Sequence, residues 1–210
     1  MDTIANAQNA KIVLDIIEQI HANAAYLSEI DGATGDGDHG VNMNKGFLMA
    51  KERIEESMMF SDALKILGRT LVMDIGGSMG PIYGTMFSKL SKALKVDEID
   101  ANTFLAGLEN ATQALMELAG AQLGDKTLVD TIHPAKEAFK SALEAGKSFK
   151  DCLQAMSDGA ETGKENTRNM VAKIGRAARL GERSKGFLDA GATSCCIILK
   201  TMAASMMAQF

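Results

Sequence analysis

The sequence predicts an all-α fold of eight helices in one domain over residues 1–210, and three observations predict it. Apolar residues recur at three- and four-residue spacing in stretch after stretch, the period of a helix with one buried face. Only 2 prolines and no Trp interrupt a chain rich in Ala, Leu, Met, Glu and Lys, a balance that favours helix over sheet. No alternation of apolar and polar residues lasts long enough to compete as a strand. With 46% hydrophobic residues the chain can bury a sizeable core, and no linker or repeat divides it.

Taken in order, Ile12, Ile16, Ile17 and Ile20 set a first helix over about residues 5–28. A loop at 29–39 separates it from a second, 40–57, with Met43, Phe47, Leu48 and Ile54 as its apolar positions. Ser61 is the expected N-cap of a third, 62–75, which holds Leu64, Leu67, Leu71 and Val72. Gly76-Gly77-Ser78-Met79-Gly80-Pro81 breaks the pattern, and Pro81 suits the first turn of a fourth helix running through Phe87, Leu90 and Leu94. Asp97–Asn102 turns into a fifth at 103–118. Gly120–Thr127 is a glycine-bearing loop before a sixth, 128–145, with Pro134 near its start or at a kink. The seventh covers 149–173, and a polar stretch, Gly175–Gly191, leads into the eighth at 192–208.

Composition excludes several functions. A net charge of −5 without a basic block argues against nucleic acid or an anionic membrane as the main partner. Cys152, Cys195 and Cys196 make no disulfide framework and point to a reduced, cytoplasmic compartment. Met1–Asn6 lacks the basic and apolar regions of a signal peptide. The apolar run Ala192–Phe210 is broken by Lys200 and diluted by Ser, Thr and Cys, so a buried final helix is expected rather than a membrane span. The 14 methionines are core filler at helical spacing, and His21 and His133 stand alone in structural positions.

The chemistry concentrates in Gly35-Asp36-Gly37-Asp38-His39-Gly40-Val41-Asn42-Met43-Asn44, with Asp31 upstream. If one helix ends near Asp31 and the next begins near His39, a tight glycine loop brings Asp31, Asp36 and Asp38 together. Carboxylates that close repel unless a cation sits among them. Mg²⁺ favours carboxylates, water and phosphates, so a magnesium–nucleotide site follows. An EF-hand would need a bidentate Glu where Phe47 stands. The competing interpretation is that the acids only cap a helix and fill an Asx turn. Gly76–Pro81 with Gly84-Thr85 is a second glycine loop opening a helix, where backbone N–H groups suit a phosphate or, equally, small residues permit close helix packing. Gly124-Asp125-Lys126-Thr127 with Asp130 is a third. The fourth gathers Arg176, Arg179, Arg183 and Lys185 before Asp189-Ala190-Gly191, and arginine suits bidentate phosphate contacts. Glycine loops at several helix ends, one acidic and one basic, fit a Mg–nucleotide at one end of a helical barrel.

In order and over the whole chain, these motifs resemble one family. It is the nucleotide-binding L subunit of dihydroxyacetone kinases, also found as the C-terminal domain of single-chain, ATP-using versions. The matching segments are Leu27–Asp31 through Gly35–Phe47; Gly76-Gly77, Gly80-Pro81 and Gly84-Thr85; Gly124–Thr127 and Asp130; and Gly175–Ala177 through Leu180–Ser184, Asp189 and Gly191–Ser194. The resemblance implies an antiparallel eight-helix barrel. It implies two Mg²⁺ on Asp31, Asp36 and Asp38, bridging the phosphates of ADP or ATP. His39 and Asn42 would contact phosphates, and Gly77, Ser78 and Met79 would approach the nucleotide. Leu128 would line its adenine or ribose pocket. Arg176 and Asp189 would close over it, with Met43, Thr85 and Gly191 also among the cofactor-binding residues. Two departures from the family pattern stand out: Met79 replaces the usual serine of Gly-Gly-x-Ser-Gly-Pro, and Ala190 replaces the proline of Asp-Pro-Gly.

The function so implied is that of a phosphotransferase subunit with no catalytic side chain beyond its metal–nucleotide site. The acceptor would be dihydroxyacetone or a related short ketose on a separate K subunit. ADP would be rephosphorylated in place by a multiphosphoryl carrier of the phosphoenolpyruvate phosphotransferase system, the M subunit. A subunit using free ATP is a close variant. A nucleotide-binding module that signals to a transcriptional regulator is the rival from another class. A related fatty-acid kinase subunit would carry Thr where His39 stands.

Overall fold

A computed structural model describes residues 2–210. Short strand β1 (Thr3–Ala5) precedes α1 (Lys11–Ala22), α2 (Ala24–Thr34), α3 (His39–Lys51), α4 (Phe60–Asp74) and α5 (Met79–Ala93). Strand β2 (Glu98–Asp100) then leads to α6 (Ala101–Ala119), α7 (Val129–Glu144), α8 (Phe149–Asn166) and α9 (Ala190–Met207), with 3-10 segments at Thr167–Asn169 and Arg176–Ser184. The all-α class stands. Eight helices pack side by side in a closed ring, α1 to α3 and on in order through α9, which returns to α1. The ninth, α2, packs on α3 and α9.

Burial follows the predicted periodicity. Ile12, Ile16, Ile17 and Ile20 of α1 are fully buried. Phe104, Phe139 and Phe149 bring α6, α7 and α8 together, with ring centroids 5.4–6.1 Å apart. Phe47 packs edge-on to Phe87 at 5.9 Å, joining α3 to α5. Cys152, Cys195 and Cys196 are buried free thiols. By length and composition α9 could cross a membrane, but 61% of that stretch is buried against its neighbours.

Several expected boundaries need correction. The first predicted helix, 5–28, divides into α1 and the start of α2, and residues 6–10 ahead of α1 are not helical. Asn23 ends α1 by turning its side-chain amide onto Gln19 O at 2.8 Å, a local bond that competes with the helix ladder. Residues 3–5 pair antiparallel with 98–100, Ile4 opposite Ile99, although no strand was expected. Ser61 does not cap α4. The buried side chain of Asn6 does so from 55 residues away, accepting from Ser61 N at 2.9 Å and donating to Ser61 Oγ, Leu94 O and Val96 O. Helix α3 stops at Lys51, short of Ile54, and Val72 of α4 is half-exposed rather than core. Helix α8 ends at Asn166, where Thr167 turns its hydroxyl onto Lys164 O. Pro134 lies inside α7 and leaves Asp130 O without its helical donor.

Candidate functional site

Helices α3, α5, α7 and α9 begin around one cleft, and α2 and α6 end there. This convergence matters because a helix N-terminus carries orphan N–H groups and about half a positive charge. Neither Asp38 before α3 nor Ser78 before α5 caps its helix with a side chain. Those two N-termini therefore lack the cap that would take up their donors, although Asp31 Oδ2 already accepts from His39 N. At α9, in contrast, Asp189 accepts from Ala192 N at 2.7 Å. The cleft measures about 490 Å³, the size of a small-molecule site.

The acids sit on its rim. Asp31 rides the last turns of α2, not the loop predicted for it, while Asp36 and Asp38 follow in the link to α3. One oxygen from each carboxylate lies within 4.8 Å of the others. A Cβ at Gly35 would come within 2.5 Å of Asp31 Oδ1, so only glycine leaves that carboxylate in place. The nearest cation is Arg176, which pairs with Asp36 and stands 3.8 Å from Asp38. Three convergent carboxylates with one guanidinium fit a divalent-cation site.

His39 is fixed from behind. Its backbone N–H donates to Asp31 Oδ2 at 3.3 Å, and its Nε2 meets Ser194 Oγ at 2.8 Å. Ser194 Oγ in turn meets Tyr83 OH at 2.6 Å, and Tyr83 OH reaches Gly191 O at 3.0 Å. The chain Tyr83–Ser194–His39 thus ties the starts of α3, α5 and α9 together. Burial lowers the His39 pKa against the opposing pull of Asp31. Burial also pushes Asp189 up to about 6, despite its bond from Ala192 N and the nearby Lys126 ammonium. The remaining wall is apolar, with Met79, Ile82, Leu118, Leu128 and Ile174.

Asp31, Asp36, Asp38, His39, Asn42, Gly77, Ser78, Met79, Leu128, Arg176, Asp189 and Gly191 all border this cleft. Met43 and Thr85 do not. Met43 is fully buried in the core on the inner face of α3, and Thr85 lies a turn too far along α5. Sequence reasoning missed Tyr83, Ile82, Leu118 and Ser194. Tyr83 and Ile82 carried a usable signal, since they follow the glycine loop within one turn of Pro81. Ser194 carried one too, as the last residue of the Gly191–Ser194 motif, whereas Leu118, in mid-pattern of a helix remote from every motif, carried none.

Residues 33–204 match the family model described as the DAK2 domain. The ADP-binding subunit DhaL of the PEP-dependent dihydroxyacetone kinase 1 of Listeria innocua is 33% identical over 190 residues, 90% of each chain. The ADP-binding subunit DhaL of the PTS-dependent dihydroxyacetone kinase of Lactococcus lactis is 36% identical over 188 residues, 88% of this chain and 90% of that one. The crystal structure of the C. freundii dihydroxyacetone kinase in complex with AMP-PNP and Mg²⁺ shares the fold, with a TM-score of 0.67 at 23% identity. That match covers 98% of this chain and 35% of that one. The chain therefore belongs to the DAK2-domain family, among the ADP-binding L subunits of dihydroxyacetone kinases.

Proposed function

We propose that this protein holds ADP or ATP with two Mg²⁺ ions in the cleft and passes the terminal phosphoryl group to dihydroxyacetone, or a related short ketose, carried by a separate K subunit. The ADP left behind is rephosphorylated in place by a phosphotransferase-system carrier, the M subunit, in the cytoplasm. The observation that carries this reading is the convergence of three carboxylates with two uncapped helix N-termini in one cleft.

Each group has a task. Asp31, Asp36 and Asp38 hold the cations. When bound, these neutralise the phosphates and orient the terminal phosphoryl for in-line transfer. The N–H groups opening α3 and α5 receive phosphate oxygens. His39, its ring fixed by Ser194, and Asn42 add side-chain donors on the first turn of α3. Leu128, Leu118 and Met79 give the base an apolar wall, and Arg176 supplies the positive charge that suits the transferring group. Catalysis is then positioning and charge stabilisation, so the subunit is inactive without its partners.

Nucleotide released from freshly purified, denatured protein tests this, identified by mass spectrometry and chromatography. Stoichiometric ADP is expected. Protein that carries no nucleotide and takes up neither Mg–ADP nor Mg–ATP in a titration overturns the reading.

A further inference from the structure

The motif Gly124-Asp125-Lys126-Thr127 places an unusual residue at the cleft wall. Lys126 is 1% exposed, although a lysine is almost never fully buried without partners. Its backbone is left-handed, φ 63°, a conformation strained for any residue with a side chain. Burial lowers its pKa, against the raising effect of Asp189. A strained, buried cation persists only where the surroundings compensate.

The compensation is specific. Nζ donates to Ser184 O at 2.6 Å, Phe187 O at 2.7 Å and Met170 O at 3.3 Å. Three donors meet three carbonyls, so the ammonium is satisfied. These carbonyls are not scattered. Met170 stands at one foot of the segment 171–186, and Ser184 and Phe187 stand at the other. That segment is a strap over the cleft, with Ile174, Gly175, Arg176 and Ala177 on the cleft wall. Its backbone turns at three glycines, Gly175, Gly181 and Gly186, all with positive φ and open space around them. Besides Lys126, its feet are tied by Gly186 N to Arg168 O at 2.7 Å, Ala172 N to Ser184 Oγ at 2.9 Å and Lys173 N to Asp125 O at 3.1 Å, and its middle by Ser184 Oγ to Gly181 O and the Arg176–Asp36 ion pair.

We propose that Lys126 is a positioning residue: its buried ammonium clips the two feet of the strap together and so sets Arg176 against the acids and Asp189 at the start of α9. Lys126 borders the cleft, but its ammonium is taken up by the three carbonyls and not turned to a ligand. It acts through the strap, and the strain at its own backbone is the cost of aiming a cation inward from a tight turn. The consequence for nucleotide binding rests on the function proposed above, whereas the consequence for the strap does not.

The test uses the full chain with Lys126→Met, which keeps the bulk and removes the three donors. The strap holds Lys173, Arg176, Arg179, Arg183 and Lys185, so trypsin reports its opening directly. Cleavage within 173–185 is expected to accelerate roughly tenfold or more while far-UV circular dichroism stays native. Mg–ADP affinity should fall roughly tenfold, the loss expected when a charged hydrogen-bond network that orders a loop is removed. If Lys126 works through Arg176, the double variant Lys126→Met with Arg176→Ala binds no more weakly than the worse single variant, a non-additivity that a merely structural role would not give. An unaltered cleavage pattern overturns the clip. Accelerated cleavage with strictly additive affinity losses overturns the route through Arg176. If Lys126→Met fails to fold, the same assays on Lys126→Gln, which retains an amide donor, decide the matter; a globally unfolded Lys126→Gln overturns the proposal in favour of a general stabilising role. Parent protein that binds no Mg–ADP refutes the nucleotide reading alone and leaves the trypsin result standing.

Discussion

A single methyl group at Gly40 should unseat the acid cluster. Gly40 lies in the first turn of α3, where that helix meets α2. A Cβ there would stand 1.9 Å from Ala24 O, 2.7 Å from Ser28 N and 2.7 Å from Ser28 Oγ. Two of these atoms are helix backbone and cannot swing aside. Ordinary contact at about 3.4 Å returns only if α3 retreats from α2 by about 1.5 Å, which is overpacking of the costly kind. Such strain costs roughly 1–3 kcal/mol, or a fall in Tm of about 3–10 °C for a chain of this size. The retreat also separates Asp31, on α2, from Asp38 and His39, at the start of α3. Displacements of this size cost roughly a hundredfold in positioned chemistry, so Mg–ADP affinity should fall by tenfold or more in Gly40→Ala, about 1.4 kcal/mol or greater. The assays are thermal unfolding by circular dichroism and titration calorimetry with Mg–ADP. The control is Gly107→Ala in α6, where the nearest atoms would be 3.4 Å away. There the helix preference for Ala should leave Tm unchanged or raise it, by up to about 1 kcal/mol in stability. A Gly40→Ala protein with the parent's Tm and the parent's affinity would refute the reasoning, since the α2–α3 seam would then have room to spare.

Three further outcomes are expected. Asp36→Ala should abolish Mg-dependent ADP binding with little change in Tm, because it relieves repulsion among the acids and gives up only an exposed ion pair with Arg176; retained binding, measured by calorimetry, would sink the metal assignment. Asn6→Ala should remove at least about 2 kcal/mol of stability, since buried partners lose their bonds at the far end of the ring from the cleft, yet leave ADP affinity unchanged; a variant that loses affinity instead would show that the two ends are coupled. Asp189 titrates near 6 in the folded chain against 3.8 as its ordinary value, so its contribution to stability is full at low pH and is lost as pH rises through that window. Asp189→Asn should therefore lose less stability than the parent between about pH 4 and pH 7 in denaturant titrations, and parallel pH profiles would contradict the burial of this carboxyl.

What could be read from the sequence was whatever local chemistry determines. The isoleucines of α1 and the glycine breaks before α5 and α9 are local, and the helices they announce are present. The acids, His39, the glycine loops and Arg176 could be picked out because each belongs to a short motif. What stayed hidden is what the tertiary ring supplies. No local signal marks Asn6 as the cap of α4, because its partners Ser61, Leu94 and Val96 lie 55 to 90 residues away. Helix α2 buries little beyond Leu27, so it has no apolar stripe to read, and the sequence places Asp31 in a loop although it rides a helix. Met43 shows the opposite error. The resemblance counts it among the cofactor-binding residues, but it stands about 100° around the helix from Asn42, and that rotation carries Met43 into the core.

The placement of the acids also has an electrostatic logic. Four helices begin at the cleft, and at about half a charge each their N-termini contribute roughly +2. Arg176 adds a full positive charge, and Asp31, Asp36 and Asp38 oppose these with three negative ones. The two sets nearly cancel. Without the acids, the helix ends and the arginine would attract any anion, phosphate or carboxylate alike, with little discrimination. With the acids alone on that rim, a bare polyphosphate meets three carboxylates and is repelled. If the site works as proposed, selectivity would follow from the balance: an anion would be held well only if it brought divalent cations to satisfy the carboxylates, while its oxygens took the N–H groups of α3 and α5. Nucleotide and cation would then be each other's condition for binding, and by linkage each would tighten the other to the same degree. A site built on either set of charges alone would lack that requirement, which is why neither the glycine loops nor the acids identify the chemistry separately and why their meeting in one cleft does.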